Sequence, residues 1–252
     1  MSTARIFRVA IDGPAASGKS TTAKLLAEKL SFGYIDSGAM YRAITLKCLR
    51  LGISPSDSSK ATEIGKIAQA TTITFPNMSS VVVDKTEDVS SEIRSSTITS
   101  NIGGVASNKS VREALAEMQR ALARGDYPET FEGREGINHN GKQVKGMVMD
   151  GRDIGTVILP DAELKVFLIA DAQVRAQRRY DEMVQRNKLE EGETVDKIKK
   201  ELEQRDHEDT TRAVSPLKKA DDAVELDTSN LTIPQQVEAI EELIRNRMDK
   251  FQ

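Results

Sequence analysis

Gly13-Pro14-Ala15-Ala16-Ser17-Gly18-Lys19-Ser20, followed by Thr21, is the stretch whose reading decides the fold of this chain. It fits the pattern G-x-x-x-x-G-K-[ST], whose chemistry is phosphate binding. Successive backbone N–H groups have to turn inward toward a polyphosphate, and the glycines at its ends permit that curl. The helix that follows adds the partial positive charge of its N-terminus. In such a loop Lys19 reaches the β- and γ-phosphates. Ser20 offers its hydroxyl to Mg²⁺, whose remaining ligands are phosphate oxygens and water. The flanks agree with this reading. Ile6–Ile11 is a short apolar strand, and Ala23, Leu26, Ala27 and Leu30 recur at helical spacing. Residues 13–21 are therefore the expected ATP-binding segment.

Outward from the loop, strands and helices alternate. Tyr34-Ile35-Asp36 reads as a strand that ends in the polar turn Asp36-Ser37-Gly38, and a helix runs over Ala39–Leu51. Thr71–Phe75 and Val81–Val83 form a hairpin signal, and Ile53–Ile98 reads as an insertion outside the sheet. Ile102–Arg124 is mostly helical. Gly125–Gly146 is polar and glycine-rich, with an Asn140-Gly141 hairpin signal. Met147–Asp150, Leu164–Ile169 and Ala223–Asp227 are further strands. Asp171 caps a helix to about Asn187, Lys188–Gly192 is a polar break, and a charged helix follows to about His207. Thr232-Ile233-Pro234-Gln235 opens the last helix as a capping box. Such alternation predicts an α/β fold, a parallel sheet covered by helices on both faces. Ligands of such sheets bind beyond the carboxyl ends of the strands, where the glycine loop, Asp36-Ser37 and Asp150–Asp153 all lie.

The bulk properties exclude several classes. With 252 residues the chain has room for one large domain or a core with insertions. Its 36 basic and 39 acidic residues leave a net charge of −3, unlike a protein that coats nucleic acid. The single cysteine, Cys48, has no partner for a disulfide and sits in an apolar pattern, which reads as core in a reducing compartment. No signal peptide or membrane-spanning stretch is legible, so a cytoplasmic protein is expected.

Arginines gather near the expected site: Arg42, Arg152, a helical group of Arg175, Arg178 and Arg179, then Arg205 and Arg212. Guanidinium groups suit phosphate oxygens. Phosphoryl transfer asks mainly for positioning and charge neutralisation, and an acceptor that is itself a phosphate needs no general base. That agrees with there being only two histidines, His139 and His207, neither near a strand end.

These stretches together resemble the bacterial-type cytidylate kinases, members of the nucleoside monophosphate kinase family. The resemblance runs over nearly the whole chain. It is carried by Ile11–Thr21, Asp36–Arg42, Ser91–Arg94, Val111–Leu115, Asp150-Gly151-Arg152-Asp153-Ile154-Gly155-Thr156, and Arg205-Asp206 through Arg212–Leu217. It implies a P-loop kinase core over 1–52 and 99–252, a nucleoside-monophosphate-binding insertion over 53–98, and a lid near 178–194. By the family pattern Arg42, Arg152 and Arg212 hold the acceptor phosphate, Arg112 and Asp153 read the cytosine, and Arg205 and Asp209 contact the sugar. Asp36 and Ser37 lie beside the monophosphate. Lys19, Arg152, Arg178 and Arg179 serve the transfer itself.

The implied activity is transfer of the γ-phosphoryl group of ATP, with Mg²⁺, to CMP and dCMP by a monomer. Two departures stand out. Gly103 occupies a position where the family often has a serine near the base, with Ser107 as a possible substitute. Gly125–Gly146 is also longer than the usual link. The nearest alternative is a P-loop kinase for uridylate, adenylate or a non-nucleotide acid. A more distant one is a nucleotide-gated switch, for which neither a water-positioning residue nor a partner surface is legible.

Overall fold

The computed structural model describes residues 5–187, 189 and 192–251. In chain order its strands are β1 (Phe7–Asp12), β2 (Gly33–Asp36), β3 (Ile73–Thr74), β4 (Val82–Val83), β5 (Glu87–Asp88), β6 (Ile137–His139), β7 (Lys142–Val144), β8 (Gly146–Gly151), β9 (Leu164–Ile169) and β10 (Val224–Asp227). Its helices are α1 (Lys19–Lys29), α2 (Ser37–Arg50), α3 (Ala61–Ala70), α4 (Ser96–Ser107), α5 (Lys109–Arg124), α6 (Ala172–Gln185), α7 (Val195–Thr211) and α8 (Ile233–Met248).

The expected sheet is present. Five strands run in the order β10-β9-β1-β8-β2, with β1 and β10 both parallel to β9. Every residue of β8 is buried, as is all of β1 except Arg8. A strand buried on both sides has helices over both of its faces, which is why these segments read as apolar runs rather than as alternation. β10, at the edge, has no buried residue.

The chain divides into two compact units: residues up to Arg8 with Ala27–Met149, and Val9–Leu26 with Asp150–Gln252. The first unit packs Phe32, Ile35, Met40, Ile44, Ile64, Ile73, Ile93 and Leu115 as fully buried side chains. Cys48 is buried there too, and its burial pushes the thiol up to about 11, which suits a core residue rather than a nucleophile. Within this unit the expected hairpin is β3–β4, and β5 extends it to three antiparallel strands. The helical stretch after it is broken in two. Asn108 ends α4, and its side-chain oxygen accepts from the N–H groups of Ser110 and Val111 to start α5.

The polar excursion contains the β6–β7 hairpin, whose two turn residues, Asn140 and Gly141, have φ of 52° and 79°. Both angles are positive, as the type I′ turn signalled by Asn-Gly requires.

The second unit carries the glycine loop, α6, α7 and α8. Thr232 and Gln235 cap α8 reciprocally, as the sequence predicts. Of the expected polar break at Lys188–Gly192, residues 188, 190 and 191 lie outside the described residues. Nothing in the sequence signals the π-helical turn at Ile154–Ile158, directly after Asp150–Asp153. Such turns are rare and often sit at functional positions.

Candidate active site

The glycine loop joins β1 to α1 in the second unit. Gly13 is required by close approach: a Cβ there would lie 2.2 Å from the carbonyl oxygen of Leu168 on β9. Gly18, with φ of 89°, supplies the left-handed turn that leads into α1. Ala16 also takes a left-handed φ, 56°, and for a residue with a Cβ this costs about 1–2 kcal/mol. Ser17 is fully buried.

Lys19 is buried at 6% exposure, and its ammonium donates to the Pro14 carbonyl across the loop at 2.9 Å. Burial first, and then the Arg152 charge, pull its pKa down to about 7, against the opposing effect of Asp150. Ser20 lies in the first turn of α1. Its hydroxyl donates to the Asp150 carboxylate at the end of β8 over 2.6 Å. A hydroxyl beside a carboxylate suits a hard divalent cation that keeps phosphate oxygens and water as its other ligands.

Around that strand end the second unit brings together three of the expected arginines, Arg152, Arg205 and Arg212. Arg152 donates through Nε to Asp209 on α7 at 2.8 Å, and Arg212 donates to the other carboxylate oxygen of Asp209 at 3.3 Å. Burial opposes ionisation of Asp209, but Arg152, Arg212 and Arg205 outweigh it and hold its carboxyl below the ordinary range. Asp153 is buried at the start of the π-helical turn.

Asp12, which the sequence reading did not single out, closes this corner from β1. It accepts from the backbone N–H groups of Ile154 at 2.9 Å and Gly155 at 2.7 Å. Burial outweighs those bonds and raises its pKa from 3.8 to about 6.

The three arginines of α6 separate in role. Arg175, grouped in the sequence with Arg178 and Arg179 near the expected phosphate site, is buried and reaches back to the loop. Arg178 donates to the carbonyls of Thr228 at 2.5 Å and Leu231 at 3.3 Å, and the Thr228 hydroxyl lies 3.3 Å from the carbonyl of Ser17 in the loop. Arg179 pairs with Glu182 on its own helix at 2.9 Å.

The first unit gathers the other candidates around α2. Asp36 is its N-cap, accepting from Ala39 N–H at 2.9 Å, and Ser37, the first residue of the helix, is buried. One turn on, Arg42 donates to the Thr99 hydroxyl at 2.8 Å and to the Ile93 carbonyl at 3.3 Å. Arg112 from α5 is buried, with its guanidinium 5.4 Å from the centre of the Tyr41 ring. Tyr41 and Thr99 therefore help place the two arginines. Thr99 carries no charge or motif that would have marked it, and Tyr41 lies within the Asp36–Arg42 stretch without a role of its own there. Gly103, on α4, has open space where a Cβ would project. His139 sits in the β6–β7 hairpin and His207 on an exposed position of α7, so neither belongs to these clusters.

Comparison with known proteins identifies the family. The family described as cytidylate kinase matches residues 9–137 and 136–246. Curated relatives include the cytidylate kinase of Chloroherpeton thalassium, 47% identical over 93% of this chain and 92% of its own length. Another is the cytidylate kinase of Listeria monocytogenes serovar 1/2a, 46% identical over 90% of this chain and 91% of its own. With matches that span most of both partners, the chain belongs to the cytidylate kinase family.

Proposed function

We propose that this chain transfers the γ-phosphoryl group of ATP to CMP, giving CDP and ADP, with dCMP as a second acceptor. The observation that carries the reading is the cluster at the end of β8. There a glycine loop with a buried lysine lies beside a hydroxyl–carboxylate pair and an Arg152–Asp209–Arg212 network, in a chain of the cytidylate kinase family.

ATP takes residues 13–21. Lys19 neutralises the phosphoryl group in flight, and the loop N–H groups hold the phosphates that stay behind. Ser20 and Asp150 would hold Mg²⁺, which would supply charge neutralisation at the donor phosphates. We assign the acceptor phosphate to Arg42, Arg152 and Arg212, with Asp36 and Ser37 beside it. The sugar goes to Arg205 and Asp209, and the base to Arg112 and Asp153. The acceptor oxygen is already an anion, so no side chain has to remove a proton. The chain's work is to orient two polyanions and cancel their charge.

In this reading residues 53–98 form the monophosphate-binding insertion on a core of 1–52 and 99–252. Arg178 and Arg179 act from a lid near 178–194, within which 188, 190 and 191 are not described. No helix among the described residues is long and apolar enough to cross a membrane. We place the enzyme in the cytoplasm as a monomer. An acceptor panel of CMP, dCMP, UMP and AMP with ATP and Mg²⁺ tests the proposal: CMP should be the best ribonucleotide acceptor, and faster turnover of UMP or AMP would overturn it.

A further inference from the structure

The backbone of Ala15 is held at both its N–H and its carbonyl by side chains far away in sequence. Its N–H donates to Asp206 Oδ1 on α7 at 3.2 Å. Its carbonyl accepts from Arg175 Nη1 on α6 at 3.0 Å, and the same nitrogen donates to Asp206 Oδ2 at 2.6 Å. Arg175 is itself anchored, because Nε donates to the Ala170 carbonyl just after β9 at 3.1 Å. The ring of bonds closes on one residue, and it is largely shielded from water, the Arg175 side chain being 7% and that of Asp206 18% exposed. Charge-assisted bonds in such surroundings are strong and directional.

Two further observations give the ring a purpose. The next residue, Ala16, is the left-handed corner at φ 56°, a conformation that persists only when its surroundings impose it. Ala15 also packs with Ala176 of α6 and with Ile198 and Leu202 of α7, and Ala16, Tyr180, Met183 and Val195 close over that cluster.

We propose that Arg175 and Asp206 are positioning residues for the phosphate loop. They grip the Ala15 backbone, hold the strained corner at Ala16, and so preset the N–H groups that receive the donor's phosphates. The proposal rests on the reading of residues 13–21 as the ATP site. The pair carries no net charge, so its effect on a polyanion is geometric and not a matter of field. The Ala15 N–H, already engaged by Asp206, is not among the donors left for phosphate in this conformation.

The test uses the full chain. Binding of ATP and of CMP is measured by titration calorimetry, and KM for each by steady-state kinetics, in wild type, Asp206→Ala, Asp206→Asn, Arg175→Lys and Asp206→Ala combined with Ala16→Gly. Asp206→Ala should weaken ATP at least about tenfold and leave CMP within about twofold, because only the donor's cradle is misplaced. Asp206→Asn keeps an oxygen for the Ala15 N–H and should recover most of the loss. Ala16→Gly, which takes a positive φ without strain, should recover part of it.

An Asp206→Ala protein that folds and binds ATP as wild type does, or loses ATP and CMP equally, would overturn the proposal. If Asp206→Ala does not fold, Arg175→Lys decides: an ATP-specific loss supports the grip, and a lower Tm with both affinities unchanged refutes it. Wild-type protein that binds no ATP would overturn the ATP-site reading as well, whereas normal wild-type binding with insensitive variants overturns this proposal alone.

Discussion

Asp12 makes a prediction that can be worked from the structure. Its carboxylate is 5% exposed and accepts two backbone N–H groups, yet burial raises its pKa from 3.8 to about 6. The folded protein therefore holds this proton more tightly than the unfolded chain does. The resulting stability is fully present below the unfolded value and is lost as pH rises through about 6. At 1.36 kcal/mol per unit the whole effect is about 3 kcal/mol, and about 2 kcal/mol of it falls between pH ~4.5 and ~7.5.

Asp12→Asn cannot ionise and keeps one acceptor oxygen for Ile154 or Gly155. Its other group is an N–H₂ facing a backbone donor, much as a protonated carboxyl presents an O–H. Urea unfolding of wild type and variant across that pH range, extrapolated linearly, reads the contribution of Asp12 together with its effect on Lys19, while groups remote from it cancel in the difference. The account predicts that wild type loses about 2 kcal/mol relative to Asp12→Asn as pH rises. A difference that stays flat, or a wild type that gains on the variant, would refute the reasoning that burial outweighs the two hydrogen bonds.

The remaining predictions concern the site. Lys19→Met should fold normally and lose on the order of a thousandfold in kcat, read in a coupled ADP assay; more than about a tenth of wild-type activity contradicts the loop assignment. Replacing both Arg178 and Arg179 by alanine should lower kcat far more than CMP affinity, and equal losses would move these residues to the acceptor site. Asp153→Ala should shrink the CMP-over-UMP ratio in kcat/KM, which we expect to be at least about tenfold in wild type, mainly by losing CMP. An unchanged ratio would remove Asp153 from the reading of the base. Tyr41→Leu should weaken CMP with little change for ATP, since its ring faces the Arg112 guanidinium and supplies about 0.5–2 kcal/mol there. Parallel titrations with both nucleotides check it.

What was legible in the chain is what depends on neighbours in sequence. The glycine loop, the Asn140-Gly141 turn and the Thr232–Gln235 cap each require a residue type at a short offset, and each is present. Burial of β8 and β9 was legible as apolar runs for the same reason.

The residues whose roles were not legible take their meaning from distant partners. Asp12 acts on backbone groups 142 and 143 positions away, and a lone acid at a strand end carries no mark of that. Arg175 shares a helix with Arg178 and Arg179 and has their composition. Only the fold turns it inward, onto a carbonyl 160 positions away. The π-helical turn after Asp153 has no periodicity to betray it, being five residues long. The resemblance to cytidylate kinases supplied roles for Arg112, Arg205 and Asp209 that spacing alone would not have suggested.

The central claim is that a phosphoryl group passes from ATP to CMP without visiting water. The most direct measurement incubates the protein with Mg²⁺, CMP and ATP labelled at the γ-phosphorus, and separates the products. The account predicts that label appears in CDP, in step with ADP, and that little inorganic phosphate forms with or without CMP. Label released as inorganic phosphate at a rate indifferent to CMP would identify a hydrolase or switch and contradict the account.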